Sequence, residues 1–269
     1  MTHPVELFQS GKLSEAVTAA TEAVRKKPTD LHARSTLCEV LCFAGDLERA
    51  DKQLDAVATI DPEAMVGASM LRHLIRSEIS RREVFSEGRV PELVEKPSEA
   101  LQKRMQALLL IREGDAGKAS ALLAEAEELE VPVCGKLNGS DFEGIRDMDD
   151  LLGPVLEVFT ATGNYYWIPF SQIHSLELDK VTNLTDMLWR GATIEATGDI
   201  SGRIHIPAIY FGSEKHEDER VRIGRSTEWL QSSDDAPVRG AGQKEFLVGD
   251  DAVAVMEIRS LLLGSQSNG

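Results

Sequence analysis

Apolar residues in the first half of the chain recur every three or four positions, and the pattern repeats itself. Leu13, Ala16, Ala20 and Ala23 stand between Gly11 and Pro28; Leu47, Ala50, Leu54 and Val57 stand between Gly45 and Pro62, an offset of 34 residues at every position. Spacing of this kind predicts one apolar stripe on each helix. Glycine marks the turn before the second helix of each pair, where a positive φ costs little, and proline closes that helix. Leu37, Cys38 and Leu41 predict the inward face of the helix between the two segments. A third pair begins near Met65, with Leu71 and Ile75 inward and no Gly-Asp turn after them. The segment 81–100 breaks the register, and 101–129 restores it with Gly114-Asp115, Ala119, Leu123 and Ala126. Beyond residue 132 the period changes. The segment 147–163 opens with acidic residues and ends at Gly163, which predicts a helix, and a shorter helix is expected over 182–191. Alternating or aromatic runs at 165–170, 173–179, 192–197, 203–210 and the first half of 251–263 predict strands joined by short connections. Short connections favour antiparallel pairing, and the segregation of helices from strands indicates an α+β fold.

A 34-residue period of helix pairs is that of the tetratricopeptide repeat. The expected organisation is an all-α tetratricopeptide-like domain over residues 1–132, followed by an α+β domain with a mainly antiparallel sheet over 133–269. Repeat stacks bury a continuous core and leave a concave face lined by the first helix of each pair. Transferred by register, that face takes Val5 and Phe8 from a truncated first repeat, and His32, Ser35 and Glu39 from the second. It takes Val66, Ser69, His73 and Arg76 from the third, and Leu101, Arg104 and Leu108 from the fourth. Val66, Leu101 and Leu108 could equally be core. His32 and His73 are 41 positions apart and lack a companion cysteine or carboxylate arrangement, so they read as surface groups rather than metal ligands.

Composition narrows the partners. The chain of 269 residues is 42% hydrophobic and 28% charged, enough to bury a core without metal or disulfide staples. Its net charge of −16 is spread over both halves, and such a polyanion repels phosphate backbones and anionic lipid. No nucleic acid and no membrane are therefore expected among its partners. Three cysteines, with Cys38 and Cys42 one helical turn apart in an apolar run, give no disulfide framework. No basic, apolar leader and no long apolar run is visible, so a cytoplasmic protein is expected.

Catalytic signatures are missing. There is no phosphate-binding glycine loop ending in Lys-Ser/Thr, no paired Cys-x-x-Cys and no Gly-x-Ser-x-Gly elbow. No cofactor and no metal are expected. Asp147, Asp149 and Asp150 could hold a divalent cation, but an acidic first turn of a helix is the commoner explanation. The phrase Gly224 to Trp229 is the most polar candidate. Arg225 could bind an anion or pair with Glu228, and Trp229 could be a buried anchor for that loop.

Five phrases, DMDDLLGPVLEV, GNYYWIPFSQI, LTDMLWRGATIE, IHIPAIYFGS and RIGRSTEW, resemble the ImpE family, also called SciE or TagJ. The resemblance spans almost the whole chain. It implies a tetratricopeptide-like part joined to an α+β domain, and non-enzymatic work beside bacterial type VI secretion systems. Members of the family bind the N-terminal helical region of the sheath small subunit, TssB, and are linked through it to the ATPase ClpV. No motif fixes their contact residues, so the groove positions rest on repeat register. Two alternatives stay open. The α+β domain could bind a small molecule or nucleotide, or hydrolyse one, with Arg225, Glu228 and Trp229 as the site. The repeats could instead grip extended peptide termini with Arg76 and Arg104 as a basic clamp.

Overall fold

The computed structural model describes residues 3–264. Seven helices come first: α1 (Pro4–Gln9), α2 (Leu13–Lys26), α3 (Leu31–Phe43), α4 (Leu47–Ile60), α5 (Met65–Ser86), α6 (Glu99–Glu113) and α7 (Ala116–Glu128). Gly11, Gly45 and Gly114 sit at φ 81°, 77° and 81° in the three helix-pair turns, a left-handed conformation that disfavours any side chain. The aspartates after Gly45 and Gly114 cap the next helix, Asp46 accepting from the Arg49 amide and Asp115 from the Lys118 amide. Ala16, Ala50 and Ala119 are fully buried where each second helix meets its neighbour.

The repeat then departs from expectation. Helix α5 runs for 22 residues without a turn, through the first part of the 81–100 break. No second helix follows it. The chain instead passes along the α+β domain, where Glu92 exchanges two backbone hydrogen bonds with Tyr165 and Trp167.

Thirteen strands and one short helix are described after α7. Eight strands form the main sheet: β1 (Cys134–Leu137), β2 (Ser140–Glu143), β4 (Val155–Thr160), β5 (Tyr165–Pro169), β6 (Ile173–Leu178), β7 (Trp189–Ala196), β8 (Ile200–Pro207) and β13 (Ser260–Leu263). Their order is β2-β1-β13-β6-β7-β8-β4-β5, antiparallel throughout. A three-stranded sheet joins β3 (Ile145–Asp147), β11 (Glu245–Val248) and β12 (Asp251–Ala254). A two-stranded ribbon pairs β9 (Thr227–Leu230) with β10 (Arg239–Gly242), and α8 (Glu219–Arg222) precedes that ribbon. The fold is α+β, with the helices first.

The helix expected over 147–163 does not form. Its second half is β4, in which Val155, Leu156, Val158 and Phe159 are all buried, and its first half is a turn that continues from β3. Buried β-branched and aromatic residues fit a strand covered on both faces better than an amphipathic helix. Gly163 closes the β4–β5 hairpin instead of a helix. Over 182–191 only a three-residue 3₁₀ turn, Thr185–Met187, appears before β7 begins.

The two-residue period of the strands sorts their side chains into two cores. Val155, Phe159, Tyr165, Trp167 and Trp189 join the apolar faces of α3, α5 and α6 in one continuous core. Leu156, Val158, Ile168, Ala192 and Ile194 lie on the other side of the sheet, against Phe246 and Val248 of the small sheet. The main sheet is thus covered by helices on one face and by strands on the other.

Candidate functional site

The register positions separate into three groups. His32 and Ser35 on α3, and Val66, Ser69 and Arg76 on α5, are exposed, Val66 at 81%. Val5, Glu39 and His73 are half-buried. Burial raises the Glu39 carboxyl pKa above its usual range, with His32 pulling the other way and Asp186 adding to the rise. Phe8, Leu101, Arg104 and Leu108 are interior and unavailable to a partner. Phe8 packs edge-on against Phe43, their ring centroids 4.7 Å apart. Leu101 and Leu108 enter the core shared with the sheet because the inward face of α6 is covered by the α+β domain.

The same domain covers the concave face further along. The β4–β5 hairpin lies on α5: a Cβ on Gly163 would stand 3.3 Å from the Arg76 Cβ and 3.4 Å from the His73 Nδ1. The Ser77 hydroxyl donates to the Asn164 carbonyl. Arg104 donates to both oxygens of Glu130, at 2.7 and 2.9 Å, and to the Asp150 and Leu151 carbonyls. It therefore cannot serve with Arg76 as a clamp for a peptide carboxylate.

Where α5 meets β4, charge is buried. Arg81 of α5 grips Glu157 of β4 with two bonds, Nε to Oε1 at 2.7 Å and Nη2 to Oε2 at 2.9 Å. Lys244 is fully buried, with Nζ 2.7 Å from Asp147 and 3.0 Å from Glu157. Tyr165 donates to Glu157, the Trp167 indole donates to the Tyr165 oxygen, and Tyr210 donates to Asp147. Burial alone would raise the Glu157 pKa; Arg81 and Lys244 outweigh it and hold the carboxyl at about 2. Burial dominates at Asp147 and lifts it to about 6 despite Lys244. Periodicity did not reveal this cluster. The one available signal was Glu157, a lone carboxylate inside the apolar run 155–159.

These shifts set an acid limit. The folded Glu157 pKa lies below the ordinary 4.5, so its contribution is complete above pH 4.5 and is lost as pH falls toward 2. Asp147, raised, acts oppositely: its contribution is largest below pH 3.8 and disappears as pH rises through 6. Urea unfolding across this range should show stability falling on acidification below pH 4.5, and Glu157→Gln should flatten that limb. An unchanged slope in the variant would remove Glu157 as its cause.

The acidic triplet is neither a helix start nor a cation cage. Asp147 pairs with Lys244, Asp149 with Arg239 at 2.8 Å, and Asp150 with Arg146 at 3.1 Å. Among the described residues no group of three or more histidines, cysteines and carboxylates is placed to hold a metal ion. The polar phrase is also dispersed. The Arg225 side chain is exposed and is not paired with Glu228, which instead reaches His216 Nε2 at 3.2 Å. Trp229 leans edge-on against Tyr210 and stays 37% exposed instead of anchoring a core. YYWIPF is a core strand, with Tyr165 and Trp167 fully buried. No helix of the described residues is long and apolar enough to cross a membrane.

The repeats also carry a cleft that register did not find. Its walls are Ala19, Ala20 and Ala23 of α2 and Ala33 and Thr36 of α3, with Pro4, His32 and Lys27 among the residues around it; its volume is about 330 Å³.

A tetratricopeptide-type stack joined to an α+β segment defines a protein of the helical-repeat class. The tetratricopeptide repeat model matches residues 7–71, and the model of the ImpE protein family matches 139–262. The chain is 33% identical to the type VI secretion system accessory component TagJ of Pseudomonas aeruginosa, over 95% of this chain and 89% of that protein. It superposes on the crystal structure of protein VPA1032 from Vibrio parahaemolyticus with a TM-score of 0.92, at 31% identity over 99% of both chains. The chain belongs to the ImpE family.

Proposed function

We propose that this chain is a non-enzymatic accessory adaptor of a bacterial type VI secretion system. Its helical repeats hold the amphipathic N-terminal helix of the sheath small subunit, TssB, and so connect it to ClpV-dependent handling of the sheath in the cytoplasm. The observation that carries the reading is the open surface at the starts of α3 and α5. His32, Ser35, Val66 and Ser69 are exposed there, while Leu101, Arg104 and Leu108 of the register-derived face lie beneath the chain's own α+β segment. Exposed Met65, Val66 and Met70 give that surface an adaptable apolar character suited to a helix laid in a groove. The kinship with a secretion accessory component supplies the apparatus.

Calorimetric titration with a peptide of the TssB N-terminal helix tests it. Binding with a Kd on the order of micromolar is expected. A folded protein that gives no heat at several times that concentration would make the reading wrong.

A further inference from the structure

Four cationic side chains are buried among the described residues: Arg81, Arg104, Arg190 and Lys244. Three of them meet carboxylates. Arg81 grips Glu157, Arg104 grips Glu130, and Lys244 stands between Asp147 and Glu157. Arg190 is only 5% exposed, and among the described residues no carboxylate pairs with it. Its Nη1 donates to the Met256 thioether sulfur at 3.3 Å, and its Nε is buried without an acceptor. A thioether is a weak acceptor, and an unpaired buried cation is costly. Burial pulls the Arg190 pKa below its usual value, against the opposing pull of Asp186 and Asp179. Those two carboxylates are engaged elsewhere. Asp186 accepts from the Thr182 and Asn183 amides, and Asp179 pairs with Arg203.

The strand sets where this guanidinium points. Arg190 is the second residue of β7. Trp189 before it enters the core shared with the helices, so the two-residue period turns Arg190 to the other face of the main sheet. Met256 packs on that face, in the segment between β12 and β13. Arg190 therefore lies across the sheet from the repeats and from Glu157. Met256 is half-buried, and its unbranched side chain can give way without a backbone shift.

We propose that Arg190 is the floor of a carboxylate-binding site, and that Met256 covers it until a carboxylate enters. The fit is to a planar, two-oxygen anion, because a guanidinium presents parallel N–H groups as a fork and the unpartnered Nε is one arm of it. A small free acid and an acidic side chain of a partner offer this same group. The site goes beyond the adaptor reading and does not depend on it.

Thermal unfolding of the full chain tests it, in acetate against chloride at equal ionic strength. A blocked Ala-Glu-Ala tripeptide and its Gln counterpart form the second arm. Acetate at about ten times its Kd should raise Tm by roughly 3 °C. The Glu tripeptide should act likewise and the Gln tripeptide should not. A stronger response to the tripeptide assigns the carboxylate to a protein side chain; a stronger response to acetate assigns it to a free acid. Arg190→Met removes the charge at similar length, so it should raise Tm by roughly 3 °C without added acid and abolish the response. Arg190→Lys keeps the charge without the fork and should lose most of the response. A response that persists in Arg190→Met places the acid elsewhere and overturns the proposal. So does an Arg190→Met chain that is less stable than the unsubstituted one or fails to fold, because Arg190 would then be holding the fold together. An unsubstituted chain indifferent to acetate and to the Glu tripeptide overturns it as well.

Discussion

Replacing Lys244 with methionine is expected to lower the unfolding free energy by about 3–5 kcal/mol, enough to unfold a marginal domain at physiological temperature. The ammonium is fully buried between Asp147 and Glu157, 2.7 and 3.0 Å away. Methionine matches its length and apolar stem, so packing changes little. What changes is that two carboxylates in the interior are left with less countercharge, and an uncompensated buried charge costs far more than a lost surface pair. Glu157 keeps Arg81, whereas Asp147 keeps only hydrogen bonds from Tyr210 and the Asp149 amide. The larger share of the cost should therefore fall on Asp147. Adding Asp147→Asn to the methionine variant should recover part of the loss, because it removes the orphaned charge, while Asp147→Asn alone should destabilise. Urea unfolding of the two single variants and the double variant closes the cycle. Additive losses would show that the two residues do not act as a pair.

The helical half was legible because its physics is local. A helix needs an apolar stripe, a turn residue and a cap, and Gly45-Asp46 and Gly114-Asp115 supply turn and cap in adjacent letters. Strands with clear alternation, such as β6 and β7, were legible for the same reason. Strand β4 was not: it is buried on both faces, so its letters carry no period, and the acidic turn before it imitates a helix start. The candidate groove failed where burial is imposed from far along the chain. Leu101 and Leu108 have the spacing of a groove face, and only the arrival of the α+β domain makes them core. Arg104 looked like a clamp because neither Glu130 nor the carbonyls of Asp150 and Leu151 are its sequence neighbours. The alanine cleft is lined by α2 and α3 together, and no single run of residue types reports it.

Cutting the chain between residues 132 and 133, where its composition changes, is expected to yield two segments that do not fold separately. A split into two domains follows naturally from periodicity, but the packing joins them. Leu37, Leu74, Ile75, Phe85, Leu101 and Leu108 from the helices share one core with Leu152, Val155, Phe159, Trp167, Trp189 and Ile209 from the second segment. Separation exposes both halves of that core, at roughly 25 cal/mol for each Å² of apolar surface, and Trp and Phe side chains each carry 150–250 Å². Electrostatics adds to the loss: Arg81 is parted from Glu157, and Lys244 and Glu157 lose the guanidinium that balances the cluster. Segment 1–132 should show reduced helicity and broad, non-cooperative urea unfolding, and segment 133–269 should be found mainly in aggregates. Co-expression should restore a complex that unfolds in one step, because the shared core can re-form without the covalent link. A segment 1–132 that unfolds alone with the sharpness of the intact chain would show that the repeats are self-sufficient. The buried cluster at Arg81 would then be only a contact between two finished domains.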